Sequence, residues 1–241
     1  MLFLRHFIDL CKHHPLLSLL AGLFLCLFLL FGRYLIWPPV WRLATENPVQ
    51  TSFMEYRAKQ WAAKGEDKAI KQTWKNLGQI SRYLQKAVVL AEDGIFWTHD
   101  GFDRDRLRLA WEANRAAGRV IMGSSTITQQ LAKNLYFQPD KSIVRKLREA
   151  LITWRLEQHL EKERILELYL NVAEWGDGIF GAEAAARHYF GVSAARLTRQ
   201  QAATLAVMLP SPLNRSPDSR IVQRNATRLL ARMQREGDPR W

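Results

Sequence analysis

Three short clusters in the 241-residue sequence hold residue types that could do chemistry. The first is Glu92-Asp93-Gly94-Ile95-Phe96-Trp97-Thr98-His99, two adjacent carboxylates at the end of an aliphatic run, followed by aromatics and a histidine. Burying a carboxylate against aromatic rings disfavours its charged form and raises its pKa, which turns a weak base into a useful one near neutrality. Solvated acids at a helix end explain the same cluster, and on its own this plainer reading is the stronger. The second runs Gly123-Ser124-Ser125-Thr126-Ile127-Thr128-Gln129-Gln130-Leu131-Ala132-Lys133-Asn134. At helical spacing Thr126, Gln130, Lys133 and Asn134 share a face, rich in donors with one cation, suited to sugar hydroxyls and phosphates. Solvated faces usually mix both signs of charge, and this segment has no acid, so binding is favoured. The third, Arg145-Lys146-Leu147-Arg148-Glu149, is either a surface pair at i,i+4 or a cationic patch for a diphosphate whose cations Glu149 orients.

These residues need helices to position them. Three- and four-residue spacing of Trp74, Leu77, Ile80, Leu84 and Val88 predicts a helix leading into Glu92. Further helices are expected over 125–136, 143 to about 170, 182–189 and 198–208, where Pro210 stops the last. A final helix is outlined by Ile221, Asn225, Leu229 and Met233, with arginines on its other side. No strand alternation is found. Residues 97–122 show poor periodicity, with Phe102, Leu107, Leu109, Trp111, Ile121 and Met122 among arginines. Cover for the core is favoured there over a membrane-contacting flap.

Residues 16–37 are apolar apart from Arg33, long enough to span a bilayer core and longer than the apolar region of a cleaved signal peptide. The expected organisation is a cytoplasmic tail over 1–15, a transmembrane helix over 16–37, a proline-marked linker over 38–50 and one mostly α domain over 51–241. Flanking charges are balanced, so the positive-inside rule does not orient the span. Cys11 and Cys26 are the two cysteines, so nothing beyond the span depends on disulfides. Beyond residue 37 the chain holds 32 basic against 22 acidic residues, which favours anionic headgroups or phosphates as partners. Membrane lipids are therefore expected partners. Nucleic acid is not, because the tryptophans are dispersed rather than grouped as stacking platforms.

Together the clusters resemble the signatures of the family 51 glycosyltransferases of cell-wall synthesis, and of their monofunctional members in particular. The first is similar to EDxxFxxHxG, the second to GxSTITQQxxKN and the third to RKxxE. Residues 162–171, 178–186, 189–191 and 201–212 match the later signatures in order, so the resemblance covers roughly 80–215. Ser124 is a small departure where glycine is common.

The resemblance implies a lysozyme-like α fold with a membrane-facing jaw. It also implies polymerisation of lipid II into β-1,4-linked strands outside the inner membrane, with inversion and release of undecaprenyl pyrophosphate. Matched by position, Glu92 is the catalytic base and Glu149 the second essential acid. Ser125, Thr126, Gln129, Gln130, Lys133, Asn134, Arg145 and Lys146 belong to the phosphate and sugar sites, and Asp93, Phe96 and His99 shape the first motif. No cofactor is required by the sequence. A divalent cation, Mg or Mn, is compatible with diphosphate chemistry, and no metal ligand is assigned. Cell-wall synthesis or division proteins are candidate partners. The rival readings are a lysozyme-like hydrolase or lytic enzyme, whose sugar leaving group needs a protonated acid, and a non-catalytic lipid-binding scaffold. Ser-x-x-Lys and Lys-Thr-Gly transpeptidase signatures do not occur, so crosslinking is expected of another protein.

Overall fold

The computed structural model describes residues 14–140 and 142–236. The expected tail lies almost wholly outside the described residues, as does Cys11. The chain divides into two compact units, with the boundary after Val40.

In the first unit, α1 (Pro15–Phe31) begins with proline at its first turn, where the missing N–H costs nothing. It carries no charge and buries no residue. Within Pro15–Ala44 lies a stretch long and apolar enough to cross a membrane.

The second unit is mostly helical. Its first helix, α2 (Ser52–Ala63), is capped by Thr51, whose hydroxyl accepts from Met54 N at 3.2 Å. Residues of the expected linker are tied down here. Arg164 donates to the carbonyls of Leu43 at 2.7 Å and Glu46 at 2.9 Å, and to Asn47 Oδ1 at 2.8 Å.

The helix leading to the first cluster, α3 (Arg82–Glu92), starts later than the spacing predicts. Trp74 lies in extended chain and Leu77 in a single 3-10 turn, closed by Asn76 and Gln79 bonding each other's backbone ends. Residues 97–122 contain α4 (Arg104–Ala117), on which only Ala110 is buried. Leu107, Leu109 and Trp111 are exposed, so this segment does not cover the core, contrary to the expectation.

The second cluster forms α5 (Ile127–Tyr136) and the third opens α6 (Ile143–His159). The single helix expected from Ile143 to about Leu170 is two. Leu160 and Glu161 turn extended, and α7 (Lys162–Val172) restarts after them. Neither glycine nor proline marks this break. Leu160 is instead buried, so packing overrides the helical preference of both residues.

Three strands of two or three residues, too short to show alternation, make a small sheet. β1 (Lys71–Gln72) pairs parallel with β3 (Ile179–Phe180), which pairs antiparallel with β2 (Glu174–Gly176). Arg57 of α2 grips Glu174 through two bonds of 2.8 and 2.7 Å, fastening sheet to helix.

The remaining helices are α8 (Ala182–Phe190), α9 (Arg199–Met208) and α10 (Arg220–Arg235). Ala202, Ala203 and Ala206 of α9 are fully buried, and such small side chains let it pack closely on α3 and α10. On α7 every residue from Leu168 to Val172 is buried, so it runs through the core against α5. Two helix ends, those of α3 and α5, are thereby brought together around Glu92.

Candidate active site

Glu92 is the last residue of α3 and only 7% exposed. Its Oε2 accepts from Gln130 Nε2 at 2.7 Å. Gln130 Oε1 accepts in turn from the hydroxyl of Tyr169 at 3.0 Å, which fixes the amide with its NH2 toward the carboxylate. Glu92 Oε1 is buried with no partner. Burial pushes the Glu92 pKa above the ordinary carboxylate range. The Gln130 bond and the charges of Arg106, Lys133 and Arg215 oppose the rise without cancelling it. The result is a carboxylate with one lone-pair oxygen uncommitted, more basic than a solvated acid.

Asp93 does different work. Fully buried, it accepts from Ile127 N at 3.0 Å, filling the donor-rich N-terminus of α5 with a negative charge. It also accepts from His99 Nε2 at 2.9 Å. His99 Nδ1 accepts from Gly101 N at 3.0 Å, so the ring is held with its proton on Nε2. Gly101, at φ +90°, passes its carbonyl to the Thr126 hydroxyl at 2.7 Å. Thr126 and Gln129 close a capping box at the start of α5. The first and second clusters are thus one hydrogen-bonded clamp, and it sets the distance from Glu92 to Gln130.

The third cluster supplies charge. Glu149, 2% exposed, takes Arg145 on Oε2 and Lys146 on Oε1. Lys146 also donates to Ser125 Oγ at 3.2 Å, and Arg145 Nε to the carbonyl and carboxylate of Asp140, both at 2.9 Å. Lys133 stands apart from these pairs. Burial lowers its pKa, and the Arg145 and Lys146 charges add to that. Glu149, and more weakly Glu92, pull the other way. Four cations, Arg106, Lys133, Arg145 and Lys146, therefore share one cavity of about 530 Å³ with two acids.

That cavity is lined by Glu92, Ser125, Gln130, Lys133, Arg145, Lys146 and Glu149 among the residues expected from sequence. Asp93, Phe96, His99, Thr126, Gln129 and Asn134 lie behind its wall. Protein partners occupy the polar groups of Asp93, His99, Thr126 and Gln129, and Phe96 is fully buried beneath the Lys162 ammonium at 4.6 Å. Asp93, His99, Thr126 and Gln129 thus brace the wall of the cavity through bonds within the protein. Three residues were missed from sequence. Arg106 donates to the Glu92 carbonyl from a helix whose pattern was obscure. Tyr169 lies within residues 162–171, to which the resemblance assigns no role. Arg215, whose charge reaches Glu92, follows the prolines that end α9. Among the described residues no group of three or more His, Cys, Asp or Glu could hold a metal, and both oxygens of Glu149 are taken. The donor set does not form a cage for a resident divalent ion.

A buried carboxyl with a raised pKa facing clustered cations is an arrangement suited to acid–base group transfer. The family model described as transglycosylase matches residues 59–234, and the chain belongs to that family. Curated relatives share this similarity over most of their length. The biosynthetic peptidoglycan transglycosylase of Nitrosospira multiformis is 47% identical over 196 residues, 81% of this chain and 83% of the relative. The protein of that name from Azoarcus sp. strain BH72 is 51% identical over 188 residues, 76% and 81% of the two chains. The one from Dechloromonas aromatica is 46% identical over 217 residues, 89% and 91%.

Proposed function

We propose that this chain is a membrane-anchored peptidoglycan glycosyltransferase that polymerises lipid II on the periplasmic side of the inner membrane. The observation that carries the proposal is the placement of buried, unusually basic Glu92 in one cavity with Lys133, Arg145 and Lys146.

The chemistry follows from what each partner lacks. A sugar hydroxyl attacks poorly unless its proton leaves as the new bond forms. Glu92 takes that proton on its uncommitted oxygen, a role worth about 10²–10⁴-fold in rate. The hydroxyl oxygen bonds to the anomeric carbon of the donor glycan while the bond from that carbon to the diphosphate breaks. The electron pair leaves with the diphosphate, whose accumulating charge needs cations rather than a general acid. Lys133, Arg145 and Lys146 supply them, and Glu149 keeps the last two from repelling each other out of position. Attack opposite the leaving group inverts the α linkage to β. A divalent ion, if used, would arrive with the diphosphate, since hard cations bind phosphates with few protein ligands.

The apolar α1 serves as the anchor, and the exposed Leu107, Leu109 and Trp111 of α4 are suited to the membrane interface where a lipid-linked substrate resides. Purified protein incubated with labelled lipid II in detergent should yield a polymer that lysozyme digests. Release of sugars from finished glycan, with no polymer from lipid II, would make the chain a hydrolase instead.

A further inference from the structure

In the proposed reaction Lys133, Arg145 and Lys146 meet the diphosphate, and Arg106, the fourth cation lining the cavity, has no part. It comes from α4, a helix with little apolar surface to hold it in place. Arg106, Ala110, Ala113 and Asn114 share one face at helical spacing, and every other residue of the helix is exposed. That inner face is two alanines between two polar side chains, and the polar side chains do the holding.

Asn114 Oδ1 accepts from Ile121 N at 2.7 Å and Met122 N at 2.9 Å, and its Nδ2 donates to the Met122 carbonyl at 2.9 Å. The return segment, residues 118–123, is thereby tied back to α4. Arg106 ties both to the base. Its Nε donates to the Gly123 carbonyl at 3.3 Å and its Nη1 to the Glu92 carbonyl. Glu92 ends α3, where the last carbonyls lack partners within the helix and the dipole is negative. Two of these carbonyls take an arginine from elsewhere in the chain, Glu92 from Arg106 and Leu90 from Arg232 at 2.8 Å. A segment held by a few polar bonds over little buried apolar surface opens readily, and Arg106 is where that opening reaches the base.

Resting on the reading of Glu92 as the base, we infer that Arg106 is a positioning residue, which latches α4 and the return segment to the Glu92 backbone and so fixes both the seat of the base and a positive charge beside it. The charge is the part of the latch that a pH profile reads. Burial raises the Glu92 pKa, and against it stand the Gln130 bond, then Arg106, then Lys133 of α5 and Arg215 after α9. Arg145, Lys146 and Glu149 of α6 face Glu92 across the cavity, and Arg228 and Arg232 of α10 line a neighbouring cavity that Glu92 also lines. Asp93 adjoins it on α3, engaged with His99 and Ile127 N, and the Tyr169 hydroxyl of α7 reaches it through Gln130. Arg106 joins its charge to a direct hold on the Glu92 backbone.

The test compares the full-length protein with Arg106→Gln, Arg106→Lys, Asn114→Ala and Glu92→Gln. It reads polymer formed from lipid II across pH and hydrogen–deuterium exchange over residues 118–123. Arg106→Gln keeps a donor but not the charge. It should lower kcat about three- to ten-fold, as expected for a half-buried charge-assisted bond, and change KM less than about two-fold. Its acid limb should move to higher pH, because a charge that lowers the Glu92 pKa is gone, and its return segment should exchange faster than the parent's. Arg106→Lys, which restores the charge and one bond, should bring the acid limb back toward the parent's position. Asn114→Ala should speed exchange over residues 118–123 with the acid limb in place, since it removes no charge. An unmoved acid limb in Arg106→Gln would reduce Arg106 to packing, and a loss lying wholly in KM would make it a substrate contact. Either result overturns the proposal. Glu92→Gln keeps the two failures apart. Polymer from it at the parent rate overturns the reading of Glu92 as the base. An inactive Glu92→Gln beside an unmoved acid limb in Arg106→Gln overturns the latch alone.

Discussion

Replacing Tyr169 by Phe removes one hydroxyl two side chains away from the reacting atoms. In the folded protein that hydroxyl is fully buried and donates to Gln130 Oε1 at 3.0 Å. Burial, reinforced by the Glu92 and Asp93 charges, pushes its pKa well above the ordinary tyrosine range, so it stays a donor at any working pH. Without it Gln130 Oε1, half-buried at the cavity wall, loses its protein donor, at a cost toward the lower end of about 1–3 kcal/mol. The amide can escape by flipping, but this turns its oxygen toward Glu92 Oε2, which sits 2.7 Å from the present nitrogen. Two acceptors tolerate that approach only when Glu92 is protonated. The ionised base thus loses a hydrogen bond to a charged group, worth about 1.5–3 kcal/mol. Tyr169→Phe should lower kcat/KM about ten-fold or more near neutrality. It should also move the acid limb of the pH profile to higher pH, because the Gln130 bond is the largest influence holding the Glu92 pKa down. Polymerisation of lipid II measured across pH reports both. An unchanged acid limb with a rate within two-fold of the parent would refute the relay from Tyr169 through Gln130 to Glu92.

Three other perturbations separate the roles of neighbouring acids. Asp93→Asn should leave the charge at Glu92 in place but weaken the clamp on α5, costing about 2–3 kcal/mol and lowering the melting temperature by several degrees. A melt within a degree of the parent would deny Asp93 its supporting role. Glu149→Gln removes the largest influence raising the Lys133 pKa, so the alkaline limb of the rate profile should move to lower pH as Lys133 loses its proton sooner. An unmoved limb would mean that Lys133 need not be charged. Glu92→Gln should be at least as stable as the parent. A carboxyl with a raised folded-state pKa binds its proton more tightly in the folded than in the unfolded chain. Its stabilising contribution is complete below the unfolded value and lost as pH rises through the folded value. Near neutrality the variant should therefore melt as high as the parent or about 2–4 °C higher per kcal/mol recovered. The difference should close at acidic pH, and a variant melting lower than the parent at neutral pH would contradict this.

Local sequence carried some parts of this architecture and not others. Thr126 and Thr198 are helix N-caps, a position that threonine favours, and the Gly191 that ends α8 adopts φ +66°, the left-handed conformation suited to glycine. The face carrying Gln130 and Lys133 does turn toward Glu92 and Glu149. Breaks imposed by packing were not legible. Leu160 and Glu161 are good helix formers that the core holds extended, and Trp74, Leu77 and Ile80 keep helical spacing in chain that is not an α-helix. On α10 the expected inner face holds at Leu229 and Met233 and shifts at its start. Ile221 is exposed and Val222 buried. Within the site, motif spacing found residues that face the cavity and residues that brace it without telling them apart. That distinction depends on where hydrogen bonds go: Asp93 and His99 spend theirs on each other and on backbone, whereas Glu92 keeps one oxygen free. Arg106 and Tyr169 reach the site from other helices, through contacts 14 and 39 residues apart in sequence.

The account depends on one buried oxygen accepting a sugar proton. The most direct measurement is polymer formation by Glu92→Gln, with lipid II binding recorded on the same preparation. The variant keeps the shape of the side chain and an oxygen for Gln130 but cannot take a proton. It should bind lipid II with an affinity close to the parent's and make polymer at least about 10²-fold more slowly. Polymer at close to the parent rate, from a variant that binds substrate normally, would contradict the assignment of Glu92 as the base.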